Sequence, residues 1–88
     1  MGFLKFDLGN LNSGEIVEIT LFGNAANIRL LNNSNMFNYE HGYNYRCYGG
    51  LAKSSPIRLP VPNYDHWFIV VDMRGLRGST EASVKVFS

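Results

Sequence analysis

The chain has 88 residues, 45% hydrophobic and 17% charged, with a formal net charge of +1. That length makes one domain over residues 1–88, whose single core buries roughly 60–65% of the unfolded surface. Near-neutral charge excludes binding to a nucleic-acid backbone or an anionic membrane through bulk charge alone, and the longest apolar run, Trp67 to Val71, is too short to cross a bilayer.

Period-two alternation runs from end to end with turn residues between segments. Met1 to Asp7 lacks the basic-then-apolar layout of a secretion signal, and Phe6 stands where a myristoylation motif wants Ser or Thr. Leu4, Phe6 and Leu8 alternate with Lys5 and Asp7, and a turn follows at Asn10 to Gly14. Val17, Ile19 and Leu21 alternate with Glu18 and Thr20. After Gly23-Asn24, Ala26, Ile28 and Leu30 alternate with Asn27 and Arg29.

Asn32-Asn33-Ser34-Asn35 reads as a loop, because Asn tolerates left-handed backbone and caps its own turns. A short extended piece is expected around Met36-Phe37-Asn38-Tyr39. Tyr43, Tyr45 and Cys47 then alternate with Asn44, Arg46 and Tyr48 in a strand ending at Gly49-Gly50. The single cysteine, Cys47, can form no internal disulfide, so a reducing compartment and a soluble cytoplasmic protein are expected.

Pro56-Ile57-Arg58-Leu59-Pro60-Val61-Pro62 is the most constrained stretch. Residues two apart in a strand aim their N–H groups at the same edge. Pro56, Pro60 and Pro62 have none, so that edge offers almost nothing to a neighbour while Ile57, Leu59 and Val61 enter a core. The segment reads as a blunted boundary strand. His66 to Met73 is the least polar segment and reads as a central strand covered on both faces. Ala82, Val84 and Val86 alternate with Ser83 and Lys85 in a last strand.

No window shows sustained helical spacing. The expected fold is all-β: a small antiparallel two-sheet β-sandwich, jelly-roll-like, of about eight short strands, with a small β-barrel as the alternative. A proline-blunted edge favours the sandwich, since a closed barrel has no edges to protect.

Candidate chemistry is sparse. Cys47 with His41 or His66, oriented by Asp65 or Asp72, would make a thiolate–imidazole pair, but Cys47 shares parity with Tyr43 and Tyr45 and suits a packed thiol better. A metal set drawn from His41, Cys47, Asp65 and His66 lacks any recognised ligand spacing. Gly49-Gly50 and Gly75-Leu76-Arg77-Gly78 read as turns or bulges, with no helix behind them to make a phosphate cradle. Asp72 follows the apolar run Trp67 to Val71. Either it faces the core, paired with Arg74 or Arg77, or the strand is emerging into solvent there.

The middle of the chain has a functional flavour. Asn32, Asn33, Asn35, Asn38 and Asn44 lie among Phe37, Tyr39, Tyr43, Tyr45 and Tyr48, flanked by Arg29 and Arg46. Amides supply paired donors and acceptors, and tyrosines supply flat apolar faces with a polar tip. That mixture suits a recognition surface, although strand tyrosines also line cores and Asn clusters also make plain turns.

The sequence resembles the small bacterial family called domain of unknown function 1883 over nearly its whole length. The match runs through Asp7-Leu8-Gly9, Gly23-Asn24-Ala25-Ala26-Asn27-Ile28-Arg29-Leu30 and Ser34-Asn35. It continues through Tyr48-Gly49-Gly50, Ser55-Pro56, His66-Trp67-Phe68-Ile69-Val70-Val71-Asp72 and Gly75-Leu76-Arg77-Gly78. Asp65 stands where that family commonly has glycine before the His-Trp pair. The resemblance implies a compact, mainly β domain, found alone or joined to Toll/interleukin-receptor-type domains, and carries over no catalytic residues.

The functional expectation is a non-catalytic module without cofactor or metal. Its contacts are Asn35, Phe37, Tyr39, Tyr43, Arg46 and Tyr48, with Trp67 as an anchor. The partner is a protein or a small-molecule or carbohydrate ligand, not nucleic acid or membrane. A homodimer built on the aromatic-rich face is the alternative, and a small Cys/His hydrolase a third.

Overall fold

A computed structural model describes residues 2–88. Seven strands and one helix follow in chain order: β1 (Phe3–Leu11), β2 (Ile16–Gly23), β3 (Ala26–Asn32), α1 (Asn33–Glu40), β4 (Tyr48–Ala52), β5 (Ile57–Pro60), β6 (Asp65–Asp72) and β7 (Thr80–Phe87). The strands form two antiparallel sheets, ordered β1-β6-β3-β4 and β5-β2-β7. The sheets stay open at both sides, as a sandwich does and a barrel does not.

Alternation assigns the faces. Val17 and Ile19 from β2, Ile28 and Leu30 from β3, and Trp67, Ile69 and Val71 from β6 fill the space between the sheets. Each buried aliphatic side chain there stabilises the fold by about 1.5–3 kcal/mol. The intervening residues of β6, Phe68 and Val70, face the other way and form a second, smaller core with Leu31, Met36 and Tyr39. Helix α1 closes that second core. This explains why Trp67 to Asp72 is buried on both faces, as the sequence pattern requires.

Proline placement on β5 also follows the sequence expectation. β5 is an edge strand pairing only with β2. Just beyond it, the Val61 N–H donates to the Glu15 carbonyl at 2.8 Å, so Ile57, Leu59 and Val61 share the parity that bonds inward. Pro60 and Pro62 occupy the positions whose missing N–H would have faced solvent.

Three local expectations differ from the structure. Asn33 to Glu40 is a helix instead of a loop and an extended piece. It buries only Met36 and Tyr39, one turn apart, which is too few apolar positions to show a helical period. Residues 43–47 run without strand pairing; Tyr45 and Cys47 alternate because they pack on the second core. Gly49 and Gly50 lie inside β4, opposite Arg29 and Ile28, and do not end a strand. Among the described residues there are therefore seven strands, with a helix where an eighth was expected.

Candidate functional site

Helix α1 owes its position to asparagines. The Asn32 side chain accepts the Asn35 backbone N–H at 3.1 Å and the Asn35 side-chain amide at 2.8 Å, an N-cap satisfying an otherwise unpaired donor. The Asn35 Oδ1 in turn accepts the Arg46 backbone N–H at 2.8 Å, tying the returning chain to the helix. At the other end the Gly42 N–H donates to the Tyr39 carbonyl and the Tyr43 N–H to the Asn38 carbonyl, with Gly42 at φ 76°. That is a Schellman cap, which needs a left-handed residue after the helix and here has glycine.

The inward face centres on Asp72. Its Oδ1 accepts from Asn27 Nδ2 at 2.8 Å and from the Arg74 backbone N–H at 3.2 Å. Its Oδ2 accepts from Arg29 Nε at 2.8 Å and from the Tyr39 hydroxyl at 2.7 Å. Asp72 is 1% exposed. A buried carboxylate needs such pairing, so the core-facing alternative is the one realised. Its charged partner is Arg29 on the adjacent strand, while Arg74 contributes its backbone. The Arg74 guanidinium lies 4.9 Å from the centre of the Tyr39 ring. Phe3 and Tyr45 meet that ring edge-on at 5.1 and 5.2 Å.

Burial alone would raise the Asp72 pKa, but hydrogen bonds from Arg29, Asn27, Tyr39 and the Arg74 backbone outweigh it and hold it at about 2. Burial, reinforced by the bond to Asp72, pushes the Tyr39 hydroxyl up to about 12. Because the folded-state value of Asp72 lies below 3.8, its contribution to stability is present above pH 3.8 and is lost as pH falls through about 2. That loss amounts to about 2 kcal/mol. Tyr39 acts at the opposite end: its contribution holds below pH 10.0 and disappears as pH rises through about 12. Urea midpoints measured against pH should therefore fall in both windows, and Tyr39→Phe should remove the alkaline one.

The outward face of α1 carries rings. Phe37 and His41 stack with centroids 3.9 Å apart and planes 21° from parallel. Tyr43, placed by the Schellman cap, lies 6.3 Å from His41 at 19° and 6.4 Å from Phe37 at 38°. Phe37 and Tyr43 are 53% and 62% exposed. Three neighbouring rings thus face solvent, Phe37 on the helix, His41 at its C-cap and Tyr43 just beyond it, on an element fixed at both ends and bonded from beneath.

The structure divides the seven residues expected at a contact surface. Phe37, Tyr43 and Arg46 are exposed, as is Tyr48, which meets the Trp67 ring at 6.2 Å. Asn35 is spent on the helix cap and on Arg46. Tyr39 and Trp67 depart from expectation: both are buried, with Tyr39 bonded to Asp72 and the Trp67 indole N–H donating to the Asn63 carbonyl at 3.0 Å. His41 belongs to the ring patch and was absent from the expected set. Its spacing of four from Phe37 is the signal, visible only once a helix is assumed.

The remaining candidates lie elsewhere. His66 Nε2 lies 2.6 Å from Asp7 Oδ1 across the β1–β6 pair. The Gly9 backbone N–H first, and His66 second, lower the Asp7 pKa. Cys47 packs against the second core. Among the described residues, no three His, Cys, Asp or Glu side chains gather as a metal site requires. No helix among them is long and apolar enough to cross a membrane.

The sequence model of a family described as a domain of unknown function (DUF1883) matches residues 1–88, the whole chain. The chain belongs to the DUF1883 family. No match is found for it among curated proteins or among solved structures. On the surface of this DUF1883 domain, among the described residues, Phe37, His41 and Tyr43 form a cluster of three exposed rings.

Proposed function

We propose that the domain is a non-catalytic recognition module that receives a flat apolar ligand face, such as a sugar ring, on an outer face of the Phe37–His41 stack or on the neighbouring Tyr43. The observation supporting this is the ring cluster itself: planes within 38° of one another, largely exposed, at the C-terminal end of a capped helix. Exposed aromatic side chains lose little conformational freedom on contact because they are short and stiff, so a preset patch binds at low entropic cost. The exposed Arg46, whose backbone is anchored to Asn35, and the exposed Asn44 supply polar groups beside the rings. The buried Tyr39 and Asp72 are then supports of the patch and not contacts.

Chemical-shift mapping tests the reading. A labelled sample is titrated with mono- and oligosaccharides, nucleosides and aromatic peptides. Saccharides should move the Phe37, His41, Tyr43 and Arg46 resonances, and Phe37→Ala combined with Tyr43→Ala should abolish the response. A panel that leaves these residues still, or a response confined to another face, rejects it.

A further inference from the structure

The four sheet edges are not equally protected. β5 ends on Pro60 with Pro56 and Pro62 flanking it, β1 is bulged between Asp7 and Gly9, and β4 is five residues long with two glycines. β7 has eight residues with no proline, glycine or bulge, and pairs on one side only, in unbroken register with β2 from Thr80 to Phe87. Long regular edges template further pairing. We propose that β7 pairs antiparallel with β7 of a second copy, giving a two-fold dimer with a continuous six-stranded sheet.

Hydrogen-bond parity restricts the register. The Leu21 N–H donates to the Ser55 hydroxyl at 3.1 Å and the Leu21 carbonyl accepts from it at 3.4 Å, so the polar groups of Leu21 face away from β7. Ala82, directly opposite Leu21, must then point its own N–H and C=O outward. Thr80, Val84 and Val86 share that parity. The Asn24 N–H bond to the Ser79 carbonyl, at 3.0 Å, confirms that the odd residues bond inward. A second β7 can therefore bond only even residue to even residue.

Charge selects one register among those. With Ser83 facing its own counterpart on the two-fold axis, Thr80 bonds Val86 of the partner subunit and Ala82 bonds Val84 of the partner subunit. The same alignment sets Glu81 against Lys85 of the partner subunit, twice by symmetry. Glu81, Ser83 and Lys85 are all exposed. Sliding the pairing to centre on Glu81 or on Lys85 would oppose like charges, which destabilises a cross-strand pair, and centring on Ala82 or Val84 would set Glu81 and Lys85 against serine or Phe87 of the partner subunit and forgo both opposite-charge pairs. The inward-pointing side chain of Val86 of the partner subunit then stands beside Thr80. There it covers an open groove of about 350 Å³ between the sheets, lined by Phe3, Leu4, Met73 and Thr80. Val86 is 38% exposed in the single chain. One register thus satisfies hydrogen bonding, charge and apolar burial together.

Sedimentation equilibrium from about 10 µM to about 1 mM reads this directly. The wild-type chain should show a monomer–dimer equilibrium. Glu81→Lys, which faces Phe22 on β2 within its own chain, should weaken the dimer roughly tenfold by setting lysine against lysine. Val86→Pro, which deletes an outward N–H and no bond to β2, should abolish it, and amide spectra of both variants confirm the monomer fold. A chain monomeric throughout that range overturns the proposal. So does a dimer indifferent to both substitutions, or one lost instead on Phe37→Ala, which would place self-association on the ring patch.

Discussion

Replacing Asp72 by alanine is expected to lower stability by about 3 kcal/mol, with the melting temperature falling by roughly 12–24 °C. The substitution removes the acceptor of four donors at once: the Arg29 guanidinium, the Tyr39 hydroxyl, the Asn27 amide and the Arg74 backbone N–H. The Arg29 side chain is 19% exposed, so water reaches part of the orphaned charge and keeps the loss at the lower end of the range for breaking a buried pair. Net stability for a chain of this length is about 4–13 kcal/mol. Urea unfolding followed by the fluorescence of Trp67, the one tryptophan, measures the change. Adding Arg29→Met should recover part of the loss, because the uncompensated charge leaves with it. A loss under about 1 kcal/mol would mean the network is not what pins this corner of the sheet.

Gly49→Ala is expected to cost about 2–4 kcal/mol despite lying on an edge strand. Gly49 sits opposite Arg29 in the β3–β4 ladder at φ 116°, where an L side chain is strained. A Cβ there would collide with the Ile28 carbonyl oxygen and approach its carbonyl carbon to 3.2 Å, and backbone cannot step aside as a flexible side chain does. Separation of β4 from β3 should follow, read as lost hydrogen-exchange protection in Tyr48–Ala52. The exposed neighbour Leu51→Ala should stay within about 0.5 kcal/mol of wild type.

The sandwich was legible because its strands obey simple rules. Alternation through Val17–Leu21, Ala26–Leu30 and Ala82–Val86 is the signature of one buried face, the double burial of β6 shows as an unbroken apolar run, and the prolines mark an edge. The helix was not legible. Met36 and Tyr39 are its only buried residues, and its asparagines, which cap it, read equally well as a loop. Without a helix, nothing in the sequence separates Tyr39 from its exposed neighbours or joins His41 to Phe37. Asp72 was recognised as either buried or emerging, but its partner lay 43 residues away. Pairing of that range depends on which strands become neighbours, and the order β6-β3 cannot be read from alternation.

Tyr39 and Asp72 fasten α1 to the sheet and so hold the ring patch in place. Native-state amide hydrogen exchange on Tyr39→Phe examines that fastening most directly. Losing a hydrogen bond to a charged acceptor should cut protection in α1, Asn33–Glu40, by roughly 10–100-fold. The β2–β7 ladder should keep its wild-type rates. Unchanged protection across α1, or an equal loss in both sheets, would contradict the claim.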